Sequence, residues 1–144
     1  MTWIMKLSLA GAALVLASGC AVNRATATVE PSANLERIRT AYVVKLPKDE
    51  RSVNVLIADA LRARGVQAST APAPQESVDA VVTYADRWMW DITMYMLELT
   101  IIVREPGTEF PLATGNSFHT SLTRKAPREM VDELHDNIFR KGKR

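Results

Sequence analysis

Cys20 is the only cysteine in 144 residues. It can form no internal disulfide, so the fold must be held by burial and needs no oxidative folding. Histidine is nearly as scarce, with His119 and His135 alone. A zinc site takes three or four ligands, and neither histidine has a Cys or carboxylate at ligand spacing, so no metal is expected. Charge of one sign is also missing: 18 Lys and Arg stand against 16 Asp and Glu. That balance leaves no basic stripe for nucleic acid. No apolar run approaches the ~20 residues of a membrane-spanning helix, and no internal repeat is visible. Catalytic spacing is missing too. The stretch ATGNS at 113–117 is not a Gly-x-Ser-x-Gly elbow, and EPGTE at 105–109 is a turn and not a phosphate cradle. Ser117 and His119 share a strand face, but no carboxylate is placed as a third member. Asp86 and Asp91, five apart on a strand, fall on opposite faces. The expectation is a protein that is not an enzyme and carries no cofactor.

The first twenty residues, MTWIMKLSLAGAALVLASGC, hold the most specific pattern in the chain. Lys6 is the only charge before Arg24, Leu7 to Ala17 are apolar or small, and Ser18 and Gly19 lead to Cys20. A basic start, a short apolar core and small residues at the end are the layout of a secretory signal, residues 1–19. With the cysteine in place, Leu16-Ala17-Ser18-Gly19-Cys20 resembles a bacterial lipobox, although Ala17 stands where Leu is usual. The resemblance implies cleavage between Gly19 and Cys20, diacylglyceryl transfer to the Cys20 sulfur and N-acylation of the new terminus. Acyl chains beyond the first turn marginal membrane binding into stable anchoring. A catalytic role for Cys20 is disfavoured, since an N-terminal tail offers neither a histidine nor a helix dipole to lower its pKa. Residue 21 is Ala and not the Asp that marks inner-membrane retention, so the resemblance implies the outer membrane, periplasmic face. Loss of Lys6 leaves a mature chain of one more base than acid.

Residues 20–40, small and polar with Pro31, read as the lipidated cysteine and a flexible tether. Residues 41–144 read as one periplasmic domain. AYVVKLP (41–47) is a short strand, and Val53, Leu56, Ile57, Ala60 and Leu61 recur at helical spacing, with Asp49 or Ser52 as cap and Gly65 as stop. VQAST, then the long runs 78–90, 94–105 and 110–122, read as strands. Pro127 opens a final helix with Met130, Val131, Leu134 and Ile138 on one stripe. The order β-α-β-β-β-β-α predicts an α+β two-layer sandwich, a mixed and mostly antiparallel sheet of about five strands with two helices on one face.

The stretches AYVVKLPKDERSVN and YADRWMWDITMYM resemble a group of uncharacterised small bacterial lipoproteins. In layout the domain is similar to the lipopolysaccharide-assembly lipoprotein and to the amino-terminal domain of the Tol-system propeller protein. These likenesses imply a non-catalytic domain that binds an envelope protein or the cell wall. The alternatives are a carrier or sensor of a small lipid or peptide, and then an enzyme. RKAPR (124–128) reads as a solvated basic loop.

Hairpin arithmetic assigns faces to YADRWMWD. With Ile92-Thr93 at the tip, Arg87 faces Glu98, Met89 faces Met96, Trp88 meets Leu97 and Tyr84 meets Ile101. Trp88 then belongs to the core, with Trp90 at its rim and Met89 and Met96 on the solvated side as interaction candidates. Phe110, Leu112 and Phe118 join the tryptophan face. Asp86 falls on that apolar face opposite Leu99 and beside Thr114, where a carboxylate needs a partner or water. It is the polar residue singled out for function. Replacing Cys20 with Ala should abolish incorporation of radiolabelled palmitate and leave the precursor uncut; equal labelling of both proteins would remove the anchor.

Overall fold

The computed structural model describes residues 23–72 and 77–143; the signal segment and Cys20 lie outside them. Six strands form one sheet: β1 (Asn23–Val29), β2 (Thr40–Val43), β3 (Gln67–Ser69), β4 (Ala80–Asp91), β5 (Thr93–Arg104) and β6 (Pro111–His119). Helix α1 (Val53–Ala63) follows β2, and α2 (Pro127–Lys141) closes the domain. The spatial order is β1-β6-β5-β4-β2-β3, with β2 parallel to both β3 and β4 and the other pairs antiparallel. The α+β two-layer class is as expected, with one more strand.

The extra strand is β1. Residues 23–29 pair with β6 along their whole length, so the expected tether is part of the sheet. NRATATV alternates small polar and small apolar side chains, a strand pattern whose weak hydrophobicity hides it. Residues 35–37 form a 3-10 turn that buries Leu35, and Ile38 is buried too. β1 is an edge strand, and its free side is guarded. Glu30 N–H bonds to Leu112 O, which sets the phase of the ladder and turns Ala27 O outward. The ammonium of Lys141 occupies that carbonyl at 2.6 Å, and a charge there discourages another strand from adding.

Alternation divides the sheet cleanly. On one face the cross-strand row Tyr84, Ile101, Gly115, Ala27 and the next row Val82, Val103, Ala113 lie under the helices. On the other, Thr83, Ile102, Thr114 and Thr28 form one row, Ala85, Thr100, Asn116 and Thr26 the next, and Arg87, Glu98, Phe118 and Arg24 a third. Neither described α-helix covers this second face. It is held by polar ties: Arg87 pairs with Glu98 at 3.0 Å, and Asn116 donates to Glu98 and Thr100 at 2.9 Å each.

Both helices form for local reasons. Asp49, not Ser52, caps α1, accepting from the backbone N–H of Arg51 and Asn54, and Gly65 ends it at φ 85°, a conformation that suits glycine. At the start of α2, Glu129 turns back to accept the Ala126 N–H at 2.8 Å. The α2 stripe Met130, Val131, Leu134 and Ile138 is fully buried. Its seat is Gly115, where an added Cβ would lie 2.9 Å from Ile138 Cδ1 and 3.2 Å from Leu134 Cδ2. Gly115→Val should therefore cost about 1–3 kcal/mol by overpacking, read by urea unfolding, whereas Thr114→Val on the open face should change stability by less than ~0.5 kcal/mol.

Candidate functional site

Three places bring polar or aromatic side chains together. The first is the far end of the β4–β5 hairpin. Sequence register holds as far as Arg87 opposite Glu98, and then a bulge leaves Leu97 unpaired and shifts the ladder by one. Trp88 consequently meets Met96, Met89 meets Tyr95, and Trp90 meets Met94. Ile92 alone turns the chain, at φ 62°. That left-handed conformation is unfavourable for a β-branched residue, and the interactions around it hold it. Arg124 donates to Thr93 Oγ1 at 2.8 Å and to Ser121 O at 3.0 Å, stacks 4.8 Å above Tyr95, and sits beside Asp91. The Ser121 hydroxyl also donates to the Asp91 carboxylate.

The bulge corrects part of the sequence reading. Met96 is fully buried and is not a rim residue. Met89 and Trp90 are exposed, as expected of a rim. Asp86 lies opposite Leu99 as read, but Ser117 and not Thr114 is its neighbour across β5. A second irregularity between Val103 and Arg104 leaves Leu112 without a partner on β5 and puts Phe118 on the open face, while Leu112 packs against the core as expected and Phe110 is half exposed just before β6. The carboxylate of Asp86 has its partner: the Trp88 indole N–H donates to it at 2.7 Å, and Arg51 stacks 4.2 Å over the same indole. Asp86 thus orients a half-buried tryptophan.

The second place is Glu133 on α2. Its Oε2 accepts from the Ser117 hydroxyl and lies against His119 Nε2, both at 2.8 Å, and its Oε1 accepts from Lys125 at 2.7 Å. The carboxylate missing beside Ser117 and His119 in the sequence is supplied from another element. A carboxylate only accepts, so His119 Nε2 carries a hydrogen and Nδ1 faces away, buried without a partner. The order of contacts differs from a nucleophile–base pair, in which the hydroxyl donates to imidazole: here both donate to the carboxylate, and Ser117 and His119 are sealed from solvent. Burial by itself would raise the Glu133 pKa, but the bonds from Lys125, His119 and Ser117 outweigh it and lower the value. Glu133 borders the Met130–Leu134 stripe at i+3 from Met130, the one sequence signal of its inward position.

The third is Asp49. Its Oδ2 accepts from the Tyr84 hydroxyl at 2.7 Å, and that same oxygen of Tyr84 accepts the Leu46 N–H. Burial opposes the charged form of Asp49, yet Tyr84 and the N–H groups of the helix start lower its pKa. Burial in turn raises that of Tyr84. The network ties the β2–α1 connection to β4.

His135 is buried where α2 meets α1, not solvated, with Nδ1 unpartnered and its ring 6.0 Å from Phe139. Among the described residues no three His, Cys, Asp or Glu side chains converge as metal ligands would, and no described helix is long and apolar enough to cross a membrane. A groove of about 280 Å³ between Leu35, Ile38, Val66 and Phe139 opens to solvent.

These features define a two-layer α+β protein in which one sheet face is bare of any other described element. No family model matches the chain, and no curated protein matches its sequence. The fold is shared with solved structures. The PelC dodecamer from Paraburkholderia phytofirmans matches with TM-score 0.61 and 15% identity, over 81% of this chain and 98% of that one. A DUF4136 family protein from Bacteroides thetaiotaomicron matches with TM-score 0.53 and 10% identity, over 83% and 95%. A PDZ domain protein from Parabacteroides distasonis matches with TM-score 0.51 and 10% identity, over 78% of this chain but 33% of that one.

The buried histidine sets a pH dependence. Burial, aided by the charge of Arg64, pushes the His135 pKa from 6.5 down to about 4. Below pH 6.5 the unfolded chain gains a proton that the folded chain refuses, so stability falls as pH drops toward 4, by about 3 kcal/mol. The lowered Asp49 and Glu133 act in a lower window, their contribution being lost as pH falls beneath the ordinary values of 3.8 and 4.5. Unfolding measured from pH 7 to 4.5 should show the slope in the wild type and a flat response in His135→Leu.

Proposed function

We propose that this chain is a lipoprotein of the bacterial envelope, held at the periplasmic face of the outer membrane by acyl chains on Cys20, and that its domain is a non-catalytic module that binds an envelope protein. The observation that carries the reading is the bare sheet face. Its rows of threonine, asparagine, Ile102 and Phe118 are open, ordered by cross-strand bonds and uncovered by any described element. Broad open surfaces suit protein partners, whereas ligand carriers enclose pockets of several hundred Å³. The inner face supports the same reading, since Val43, Val82, Met96, Leu99 and Ile101 are packed to near-zero exposure. Lys141 over the β1 edge favours contact through the face over addition of a strand. The Glu133 cluster is a tie between α2 and β6, not a reaction centre.

PelC from Paraburkholderia phytofirmans, which shares the fold, is a dodecamer, so a second copy of this chain is the first partner to test. A photo-crosslinking residue placed at Thr100 of the full chain in cells should give a discrete adduct, and one at Asp132 on the exposed side of α2 should give none. An adduct of chain with chain identifies self-assembly; an adduct of another mass identifies a different protein. Absence of any adduct at Thr100, or equal adducts at both positions, would overturn the reading.

A further inference from the structure

Large apolar side chains are not scattered over the surface. Among the described residues seven are exposed, and five collect at one end of the sheet: Met89 and Met94 at 46%, Trp90 at 69%, Leu122 at 81% and Ile92 at 86%. Leu122 belongs to this group because its turn, Ser121–Thr123, is bonded to the hairpin through Ser121 and Arg124. Phe110 lies in the β5–β6 connection, at the opposite end, and Val55 lies on α1.

The same end receives the start of β1. Asn23 pairs with His119, Arg24 with Phe118, Phe118 with Glu98, and Glu98 with Arg87. From that row the hairpin runs on past Arg87 to Ile92. At 3.2–3.4 Å per strand residue the tip stands roughly 17 Å beyond the row. Cys20 is four residues from Arg24, a span of at most ~14 Å even if fully extended. An acylated Cys20 therefore cannot reach a bilayer surface ahead of the hairpin unless the domain tilts that end away. This short span brings the apolar tip to the membrane with the anchor.

We propose that the tip formed by Met89, Trp90, Ile92, Met94 and Leu122 seats in the phospholipid headgroup layer of the leaflet that holds the acyl chains, as a second attachment that fixes the orientation of the domain. The proposal rests on acylation of Cys20. The chemistry of the tip suits that layer. Tryptophan has an apolar body and one N–H donor and favours the membrane–water boundary. The carboxylate at the tip, Asp91, is not left bare, since Arg124 and Ser121 hold it. Arg24, which stacks on Phe118, and Arg124, which stacks on Tyr95, stand behind the apolar group, where guanidinium can meet lipid phosphate. Strain at Ile92 is also accounted for, because the left-handed turn presents an exposed isoleucine side chain at the end of the hairpin.

The test uses the full, processed chain in vesicles of phosphatidylethanolamine and phosphatidylglycerol, some of it lipid brominated high on the acyl chains. In a Trp88→Phe variant the emission of Trp90 should fall at least twofold on bromination. A Trp88→Phe, Trp90→Phe, Phe110→Trp variant, with its reporter at the other end, should be unaffected. Flotation with vesicles and palmitate labelling are measured on the same samples. A protein that floats and is labelled but shows no quenching of Trp90, or equal quenching at residue 110, overturns the seating of the tip while leaving the anchor in place. Cross-links from residue 90 to a second copy or another protein, with Trp90 unquenched, overturn it in favour of that occupant. A protein without palmitate that does not float removes the anchor and the proposal together.

Discussion

The seating of α2 on β6 is the contact on which the rest of the domain depends. Helix and sheet can approach there because Gly115 presents no side chain, and Ile138 and Leu134 occupy the space. Small residues continue along the same face at Ala27 and Ala113, so the helix lies close over two strands at once. The close approach puts Glu133 within hydrogen-bond reach of Ser117 and His119, and it lets Lys141 reach the free edge of β1. A larger residue at 115 would disturb packing, polar network and edge protection together.

Carboxylates work as fasteners between elements distant in sequence. Glu133 joins α2 to β6, Asp49 joins the start of α1 to β4 through Tyr84, and Asp79 accepts the N–H groups of Arg39 and Thr40 to join β4 to β2. Each carboxylate has its pKa lowered by the donors around it, the signature of a group held in its charged form. Such arrangements specify one alignment of elements and also perturb pKa values, so perturbation alone does not mark a reaction centre. Geometry separates the two cases here: the Ser, His and Glu side chains meet in the wrong order for a nucleophile and its base, and two of the three are sealed.

The asymmetry of the molecule follows from the length of β4 and β5. Both strands have twelve residues and outrun β6, so the hairpin projects at one end, where Met96 and Tyr95 are still buried but Met89, Trp90, Ile92 and Met94 are not. The Leu97 bulge falls where the support of β6 ends, and bulges bend and twist a ladder at such places. The surface of the described residues thus has two distinct regions, an open and largely polar sheet face and an apolar group at the hairpin end. The contacts proposed for them, one with protein and one with lipid, are compatible because they use different residues.

The order of helices and strands from residue 41 onward, the two-layer class, the apolar stripe of α2 and the hairpin register as far as Arg87 were legible in the sequence. Each depends on local periodicity, and residues near in sequence carry that signal. β1 was not legible, because NRATATV has too little hydrophobicity to stand out and becomes a strand only when β6 offers its edge. The Leu97 bulge was not legible either. Sequence alternation continues unbroken through it, and the shift shows only in the pairing of Trp88 with Met96 once the strands are assembled. Glu133 beside Ser117 and His119, and Trp88 as the partner of Asp86, are likewise products of packing. Periodicity determines which face a side chain takes; which other side chain it meets there depends on the distance between elements, and only the tertiary fold sets that.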